Sequence, residues 1–282
     1  MTEEVVWEYD HELPYDDDQP RDAAAAGRRL LEGNATFARF FEPRPNTAPV
    51  RPILHLSPRN VGIGGAPGEA PTQAPFAAFL SCADARVPVE LIFGQQANDL
   101  FVVRLAGNVL GEECLGSLDY AVERLATVRL LAVLGHTGCG AVTAAVDAYL
   151  SPAGYLGLAA DLPLQAIIGR LMPPTHSAAI ALAAVHGPTV VARPGYRQAL
   201  IETTVMLNAA LGAAVLARRF HDALSDRLQV LFATYDLGRR TVGLPDETGE
   251  WQPGLYAPPG EQGELEQLGR RLAASRLVAE LL

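Results

Sequence analysis

The stretch that decides the fold is PFAAFLSCADARV, residues 75–87, in which a short apolar run ends in a cysteine followed by two opposite charges. The run PFAAFLS (75–81) has the length and continuous apolar character of a buried parallel strand. Cys82, Asp84 and Arg86 come directly after it, and ionised side chains are costly to bury without a partner. A buried strand that leads straight into such groups indicates a ligand site at its carboxyl end.

A second cysteine lies in similar company further along the chain, in GHTGCGAV (135–142). This motif follows the apolar run VRLLAVLG (128–135), so His136 also stands at the predicted end of a strand. His136 and Cys139 are three residues apart on a turn that glycines allow to bend tightly. Because the carboxyl ends of parallel strands share one edge of a sheet, the two motifs are expected to be neighbours in space.

Together, the two cysteines and the histidine form a soft donor set that suits tetrahedral zinc. Three protein ligands would leave a fourth position for water, as in catalytic zinc sites. A lone HxxC pattern is weak by itself, and a buried cysteine is more often a small hydrophobic residue. The combination of both motifs at strand ends favours a metal site.

The two charges after Cys82 admit three interpretations. A carboxylate held by Arg86 stays ionised, so Asp84 can accept a hydrogen bond from a zinc-bound hydroxide. Alternatively, Asp84 moves onto the metal as a fourth ligand and closes the site. In the simplest interpretation, the two residues form an ordinary surface ion pair beside a strand end.

The charge of the 282-residue chain is unevenly distributed. Residues 1–20 carry eight of the 32 acids and no Arg or Lys, which leaves 24 acids against 22 bases in the rest. We therefore predict an acidic disordered tail over residues 1–20, and the near balance elsewhere gives no indication of a nucleic-acid surface.

Composition also bounds the compartment and the class of protein. About half of the residues are hydrophobic, so a packed core is expected. No apolar run reaches the roughly 18 residues of a membrane span, and the acidic N-terminus is unlike a signal peptide. Three scattered cysteines fit metal binding or catalysis better than a disulfide framework. We expect a protein of the bacterial-type cytoplasm with no membrane span.

The remaining pattern alternates strands with helices, which is typical of a parallel sheet wound with helices. We expect α/β architecture, with a central, mainly parallel sheet of four to five strands flanked by helices and an N-terminal helical arm. Strands are predicted at 75–81, 99–105 and 128–135 and in a hairpin over 228–244, and helices at 21–41, 117–126, 141–150 and 197–220. Two short helices are predicted near 158–171 and 176–186, and residues 246–282 read as a linker and a helix near 261–281.

The two motifs resemble signatures of the β-class carbonic anhydrases: CADARVPVELIF is similar to their CxDxR signature and GHTGCGAV to their HxxC signature. Weaker matches to the family lie in RRLLEGNATF (28–37), DLFVVRLAGN (99–108), GSLDYAV (116–122) and ATYDLGRRTVGL (233–244). The resemblance therefore implies a β-carbonic anhydrase-like zinc domain over residues 21–245, in which 151–196 is an extended insertion.

The resemblance implies a role for each matching residue. Cys82, His136 and Cys139 match the ligands of Zn²⁺, and Asp84 and Arg86 match the catalytic dyad. For the substrate pocket, Gln73 matches a glutamine that binds substrate in part of the family, Phe101 and Tyr120 match lining aromatics, and Gly107 matches the tight turn beside the metal. Ala106 stands where some members have valine, which would widen the pocket.

The implied function is the zinc-dependent reversible hydration of carbon dioxide to bicarbonate and a proton by zinc-bound hydroxide. The family's pocket takes one side from a partner subunit, so a homodimer or higher even oligomer is implied, with the 21–41 helix wrapping its neighbour.

The sequence leaves two alternatives to this function open. One is a hydrolase of carbonyl sulfide or carbon disulfide that uses the same zinc site, for which a remodelled 151–196 segment would be suited. The other is a non-catalytic, zinc-stabilised scaffold or bicarbonate-binding module whose tails bind a protein partner. A lost ligand or dyad residue would be expected in that case, and all five are present.

Overall fold

The computed structural model describes residues 6–9, 19–40, 53–61, 68, 70–151, 153, 162–224 and 227–282. The strands in this part of the chain are β1 (Val6–Tyr9), β2 (Ile53–Leu56), β3 (Ala77–Ser81), β4 (Leu100–Arg104), β5 (Leu130–His136), β6 (Gln229–Asp236), β7 (Thr241–Pro245) and β8 (Trp251–Pro253). The helices are α1 (Ala23–Arg39), α2 (Val89–Ile92), α3 (Glu112–Arg124), α4 (Gly140–Leu150), α5 (Leu162–His186), α6 (Tyr196–Arg219), α7 (Gln262–Ala274) and α8 (Arg276–Ala279).

The main sheet has six strands in the order β4-β3-β5-β6-β7-β8. The first four are parallel, and β7 and β8 add to them in antiparallel pairs. The predicted α/β fold with a mainly parallel sheet is confirmed. The sheet has one strand more than the expected upper number because Trp251–Pro253, within the predicted linker, pairs with β7.

Helices cover both faces of this sheet, which explains the continuous apolar strands. Ala78 and Leu80 of β3 point into a cluster built with α3 to α7, whereas Ala77 and Phe79 point into a second cluster with α1 and α2. Successive residues of a strand face opposite sides, so a strand covered on both sides has no polar position to alternate with. All five residues of β3 are accordingly buried.

One long helix replaces the two short helices expected between residues 158 and 186. Helix α5 continues through Pro173 and Pro174, where the interruption was expected because proline removes a helical hydrogen bond. Leu171, Ala178 and Leu182 recur at helical spacing and are fully buried. Burial of this apolar stripe keeps the helix continuous, so tertiary packing outweighs the local preference of the two prolines.

The N-terminal segment contains more structure than expected, and the C-terminal helix lies near its predicted position. Val6–Tyr9 pair in parallel with Ile53–Leu56, so the prediction of disorder is wrong for these four residues, while 1–5 and 10–18 lie outside the described residues. At the other end, α7 buries Leu268 and Leu272 in the larger core cluster. The apolar face of the C-terminal helix is thus covered by its own chain.

Helix α6 is long and apolar enough, by length and composition, to cross a membrane, and among the described residues it is the one helix that meets this test. Its most apolar stretch is 83% buried inside the protein. A core helix passes the same test, so this is weak evidence for a span.

Helix α1 is anchored on its own chain by a buried asparagine. Asn34 donates to the carbonyl oxygens of Ile92 and Arg240, both at 3.2 Å, and its Oδ1 accepts from the amide of Val242 at 2.8 Å. Leu30 is also fully buried against the sheet. The buried residues of α1 therefore pack against their own chain. The wrapping of a neighbouring subunit by this helix stays a prediction.

Replacing Asn34 by alanine should lower the free energy of unfolding by about 2–3 kcal/mol, because three backbone groups lose a buried partner. Urea denaturation at neutral pH measures this change. Thr36→Ala is the matched control, since Thr36 is exposed on the same helix and should change stability by less than about 0.5 kcal/mol. Equal losses in the two variants would contradict the anchoring role of Asn34.

Candidate metal centre

The two cysteine motifs meet at the carboxyl edge of the sheet. Strands β3 and β5 pair in parallel, with Ser81 opposite Leu134. Cys82 directly follows the last residue of β3, and His136 is the last residue of β5. The donor atoms of Cys82, His136 and Cys139 all lie within 4.8 Å of one another, and the two sulfurs are 3.9 Å apart. The expected proximity of the two motifs is confirmed, and the three residues form a group that could hold a metal ion.

The imidazole of His136 is oriented for ligation. Its Nδ1 lies 3.0 Å from the carbonyl oxygen of Thr137, while its Nε2 is buried and has no hydrogen-bond partner. A ligating histidine commonly uses one nitrogen for the metal and donates from the other to a carbonyl or carboxylate. A metal ion held by the two sulfurs would give the buried Nε2 the partner it lacks.

The two thiols are coupled through a shared hydrogen bond. The hydrogen bond with Cys139 lowers the pKa of the Cys82 thiol, even though burial acts in the opposite direction. The same contact raises the pKa of Cys139 well above its usual range, with burial as the second cause. The contact between the sulfurs therefore favours a thiolate at Cys82, which is the form in which cysteine binds a metal ion.

A tight turn at Gly107 supports Cys82. The amide of Gly107 donates to the Cys82 sulfur at 3.3 Å, and its carbonyl oxygen accepts from the Asn208 side chain at 2.8 Å. Gly107 has φ of +66°, and a Cβ there would come within 3.1 Å of side-chain atoms of Ala141 and Leu171. The position needs glycine on both counts. Ala106, the preceding residue of this turn, is half-buried.

Asp84 is held beside the three donors by Arg86. The carboxylate accepts from the Arg86 amide at 2.9 Å, from Nε at 3.0 Å and from Nη2 at 2.8 Å. These bonds hold the pKa of Asp84 well below its usual range, so the group is ionised at neutral pH. Its Oδ2 lies 3.8 Å from Nε2 of His136. The pair therefore faces the metal centre, which an ordinary surface ion pair would not do.

Arg104 also holds the site in place, a role that was not predicted from the sequence. Its Nε donates to the carbonyl oxygen of Cys82 at 3.0 Å, and its Nη2 donates to the carbonyl oxygen of Asp84. One guanidinium on β4 thus fixes the backbone that carries both a metal donor and the acidic member of the pair. The signal available was its place at the end of a strand adjacent to β3.

Two further supports come from α6, more than 60 residues after the second motif. Asn208 binds the Gly107 turn, and Glu202 accepts from the amide of Gly138. Both are buried polar residues in a largely apolar helix. In the sequence, these two residues are marked only as polar positions in an apolar helical pattern. Such a pattern does not indicate which groups they bind.

Three of the predicted pocket residues lie away from the metal centre within one chain. Phe101 pairs with Ala78, four residues before Cys82, which corresponds to about 13 Å along the strand. The rings of Phe101 and Tyr120 are 6.2 Å apart, and Tyr120 is 49% exposed. Gln73 is exposed before the amino end of β3. A single chain brings Ala106 and Gly107 to the centre, but not these three side chains.

Fold and site together define an α/β protein with a buried Cys-His-Cys group, able to hold a metal ion, at the carboxyl edge of a parallel sheet. Residues 77–162 match the sequence model of the family described as carbonic anhydrase. The resemblance seen in the motifs is confirmed over this segment, which is similar in sequence to the carbonic anhydrase family.

Individual carbonic anhydrases are also similar to this chain. Carbonic anhydrase 2 of Mycobacterium tuberculosis H37Rv is 42% identical over 135 residues, which cover 47% of this chain and 58% of that protein. The carbonic anhydrase of Mycolicibacterium smegmatis is 41% identical over 124 residues, covering 44% and 53% of the two chains. The chain thus spans little more than half the length of these relatives.

Among solved structures, the β-carbonic anhydrase CafA of Aspergillus fumigatus superposes with a TM-score of 0.49 at 23% identity. The superposition covers 70% of this chain and 82% of that one.

The three donors should bind one divalent metal ion per chain, and His136→Ala should weaken that binding by more than the roughly 10–100-fold typical of losing an outer partner. Metal analysis after dialysis and competition with a chelator measure both quantities. His176→Ala is the control, because His176 is an exposed residue of α5 that contacts the ring of Tyr149 edge-to-face. Unchanged metal affinity in His136→Ala would contradict the assignment.

Proposed function

We propose that this protein is a zinc-dependent carbonic anhydrase that hydrates carbon dioxide reversibly to bicarbonate and a proton. The observation that carries the proposal is the arrangement at the carboxyl edge of the sheet. Two thiols and an unpartnered imidazole nitrogen converge there, and an ionised carboxylate is held beside them. The match of residues 77–162 to the carbonic anhydrase family model supports the same activity.

Zinc suits this donor set. Two Zn–S bonds of about 2.3 Å at a tetrahedral angle separate the sulfurs by about 3.8 Å, close to the 3.9 Å between Cys82 and Cys139. Three protein donors leave one position for water. Zinc held by Cys82, His136 and Cys139 would lower the pKa of a coordinated water from about 15.7 to roughly 7 and would so supply hydroxide at neutral pH.

Asp84 orients the nucleophile in this proposal. Because its pKa is held well below the usual range, the carboxylate remains an acceptor at neutral pH and does not take up the proton. Asp84 would accept a hydrogen bond from the attacking hydroxide and would so orient its oxygen toward the carbon of carbon dioxide. Arg86 keeps the carboxylate in place through three hydrogen bonds.

The open arrangement is the form we propose for the working site. Ligation by Asp84 would require the carboxylate to exchange its three hydrogen bonds with Arg86 for a bond to the metal. Charge-assisted bonds of this kind are the stronger ones in proteins. Asp84 could therefore become a fourth ligand only if its ion pair with Arg86 were broken.

A partner subunit completes the substrate pocket in this proposal. Gln73, Phe101 and Tyr120 do not reach the metal centre of their own chain, and Tyr120 is a largely exposed aromatic. A homodimer or higher even oligomer would bring the partner's copies of these residues to the pocket. Carbon dioxide and bicarbonate are then the small-molecule partners.

A reducing compartment, such as the cytoplasm, fits the state of the cysteines. Cys82, Cys114 and Cys139 are free and buried, and two of them lie 3.9 Å apart at the metal centre. Disulfides form and persist in oxidising compartments, and only reduced sulfurs can hold zinc.

The zinc-loaded protein should hydrate carbon dioxide at a rate that rises with pH between 6.5 and 9, as hydroxide becomes available. Asp84 stays ionised over this whole range, because its pKa is lowered far below it, so Asp84 adds no step to the profile. Stopped-flow measurement with a pH indicator follows the reaction. Two thiolates place the midpoint higher than in an all-histidine site.

Replacing Asp84 by asparagine should lower the rate by about 10–100-fold while zinc content stays constant. Asp147→Asn is the matched control, since Asp147 forms an exposed ion pair with Arg197 far along α4. Carbonyl sulfide serves as the parallel substrate. A zinc-loaded protein that hydrolyses carbonyl sulfide and leaves carbon dioxide untouched, or that acts on neither, would contradict the proposal.

A further inference from the structure

Helix α6 places a carboxylate in the core that the mechanism above does not use. Glu202 is 6% exposed, between Ile201 and Thr203, which are also buried. Burying an ionisable group is costly unless hydrogen bonds compensate for the lost water. The partners of Glu202 therefore show what the residue does.

Both oxygens of Glu202 are directed at the turn that carries two metal donors. The amide of Gly138 donates to Oε1 at 3.2 Å and to Oε2 at 3.3 Å, and Nε2 of Gln198 donates to Oε1 at 2.8 Å. Gly138 lies between His136 and Cys139 and has φ of +64°, a left-handed conformation. The hydrogen bond to Glu202 thus holds the left-handed glycine at the centre of the His-Thr-Gly-Cys turn.

Other contacts hold the rest of the turn but leave the Gly138 amide to Glu202. The Thr137 amide donates to the Tyr235 carbonyl oxygen at 3.0 Å, and the Thr137 hydroxyl accepts from the amide of Leu237 at 3.0 Å. After Cys139, the chain enters α4. Gly138 is the junction between these two anchored parts, so its orientation decides how the imidazole and the thiol face each other.

The same turn also contacts the catalytic pair. Nη2 of Arg86 lies 3.5 Å from the Gly138 carbonyl oxygen and 2.8 Å from Asp84. The carbonyl oxygen of Gly138 therefore accepts from Arg86, and its amide donates to Glu202. A shift of this residue would displace both metal donors and the guanidinium that fixes Asp84.

We propose that Glu202 is a positioning residue of the metal centre, which fixes the His136–Cys139 turn in its ligating conformation before metal binds. The inference rests on the proposed function only for the identity of the metal as zinc. Outer partners that orient ligands typically contribute about 10–100-fold to metal affinity. Preorganisation of this kind lowers the cost of ordering the ligands on binding.

Glu202→Ala should weaken zinc binding by about 10–100-fold, measured on the full-length protein by competition with a chromophoric chelator. Glu202→Gln should remain within about threefold of the wild type, because its amide oxygen still accepts from Gly138. Met206→Ala is the control for a buried truncation: Met206 is 1% exposed one turn along the same helix. It should lose stability without losing zinc affinity.

Wild-type zinc affinity in Glu202→Ala would overturn the proposal. So would a Glu202→Gln variant as weak as Glu202→Ala, or a Met206→Ala variant that loses zinc affinity in proportion to its stability.

A measurement on the wild type covers the case in which Glu202→Ala fails to fold. Amide hydrogen exchange of Gly138 in the metal-free protein should be slow, at the level of the adjoining strand, because the carboxylate holds the turn without metal. Exchange as fast as in an exposed loop would overturn the proposal. None of these readouts uses carbon dioxide, so a protein that binds zinc as expected but hydrates nothing would refute the proposed function alone.

Discussion

The parallel pairing of β3 with β5 is the constraint on which the metal centre depends. Its register sets Ser81 opposite Leu134, so that Cys82 leaves one strand beside the place where His136 ends the other. Both strands are buried along their whole length, on both faces of the sheet. A slip of one residue would exchange the packed faces of a strand, so the core that fixes the register also fixes the spacing of the donors.

Distant polar side chains then set the orientation of each donor. Arg104 donates a hydrogen bond to the backbone after β3. Asn208 donates to the Gly107 turn that contacts Cys82, and Glu202 accepts from the turn before Cys139. Two of these three supports belong to α6, the helix that also packs on β5 and β6. The same packing that buries α6 therefore brings its polar residues to the edge of the sheet where the metal donors lie. The geometry of the candidate metal ligands therefore depends on the packing of the hydrophobic core.

Much of this arrangement could be predicted from sequence because its signals are local. Cys82 and His136 each follow an apolar run, and an apolar run of strand length ends at a defined residue. The supports could not be predicted, since Glu202 and Asn208 are marked only as polar residues in an apolar helix. Their partners depend on how α6 crosses the sheet. Helix α5 through Pro173 was missed for a related reason, because tertiary burial overrode a local helix breaker.

The central claim is that Cys82, His136 and Cys139 hold one zinc ion. X-ray absorption at the zinc edge of the loaded protein tests it most directly. We predict two sulfur neighbours at about 2.3 Å and two nitrogen or oxygen neighbours at about 2.0–2.1 Å. One sulfur is expected to be lost in Cys139→Ser. A zinc shell without sulfur, or one that is unchanged in Cys139→Ser, would contradict the claim.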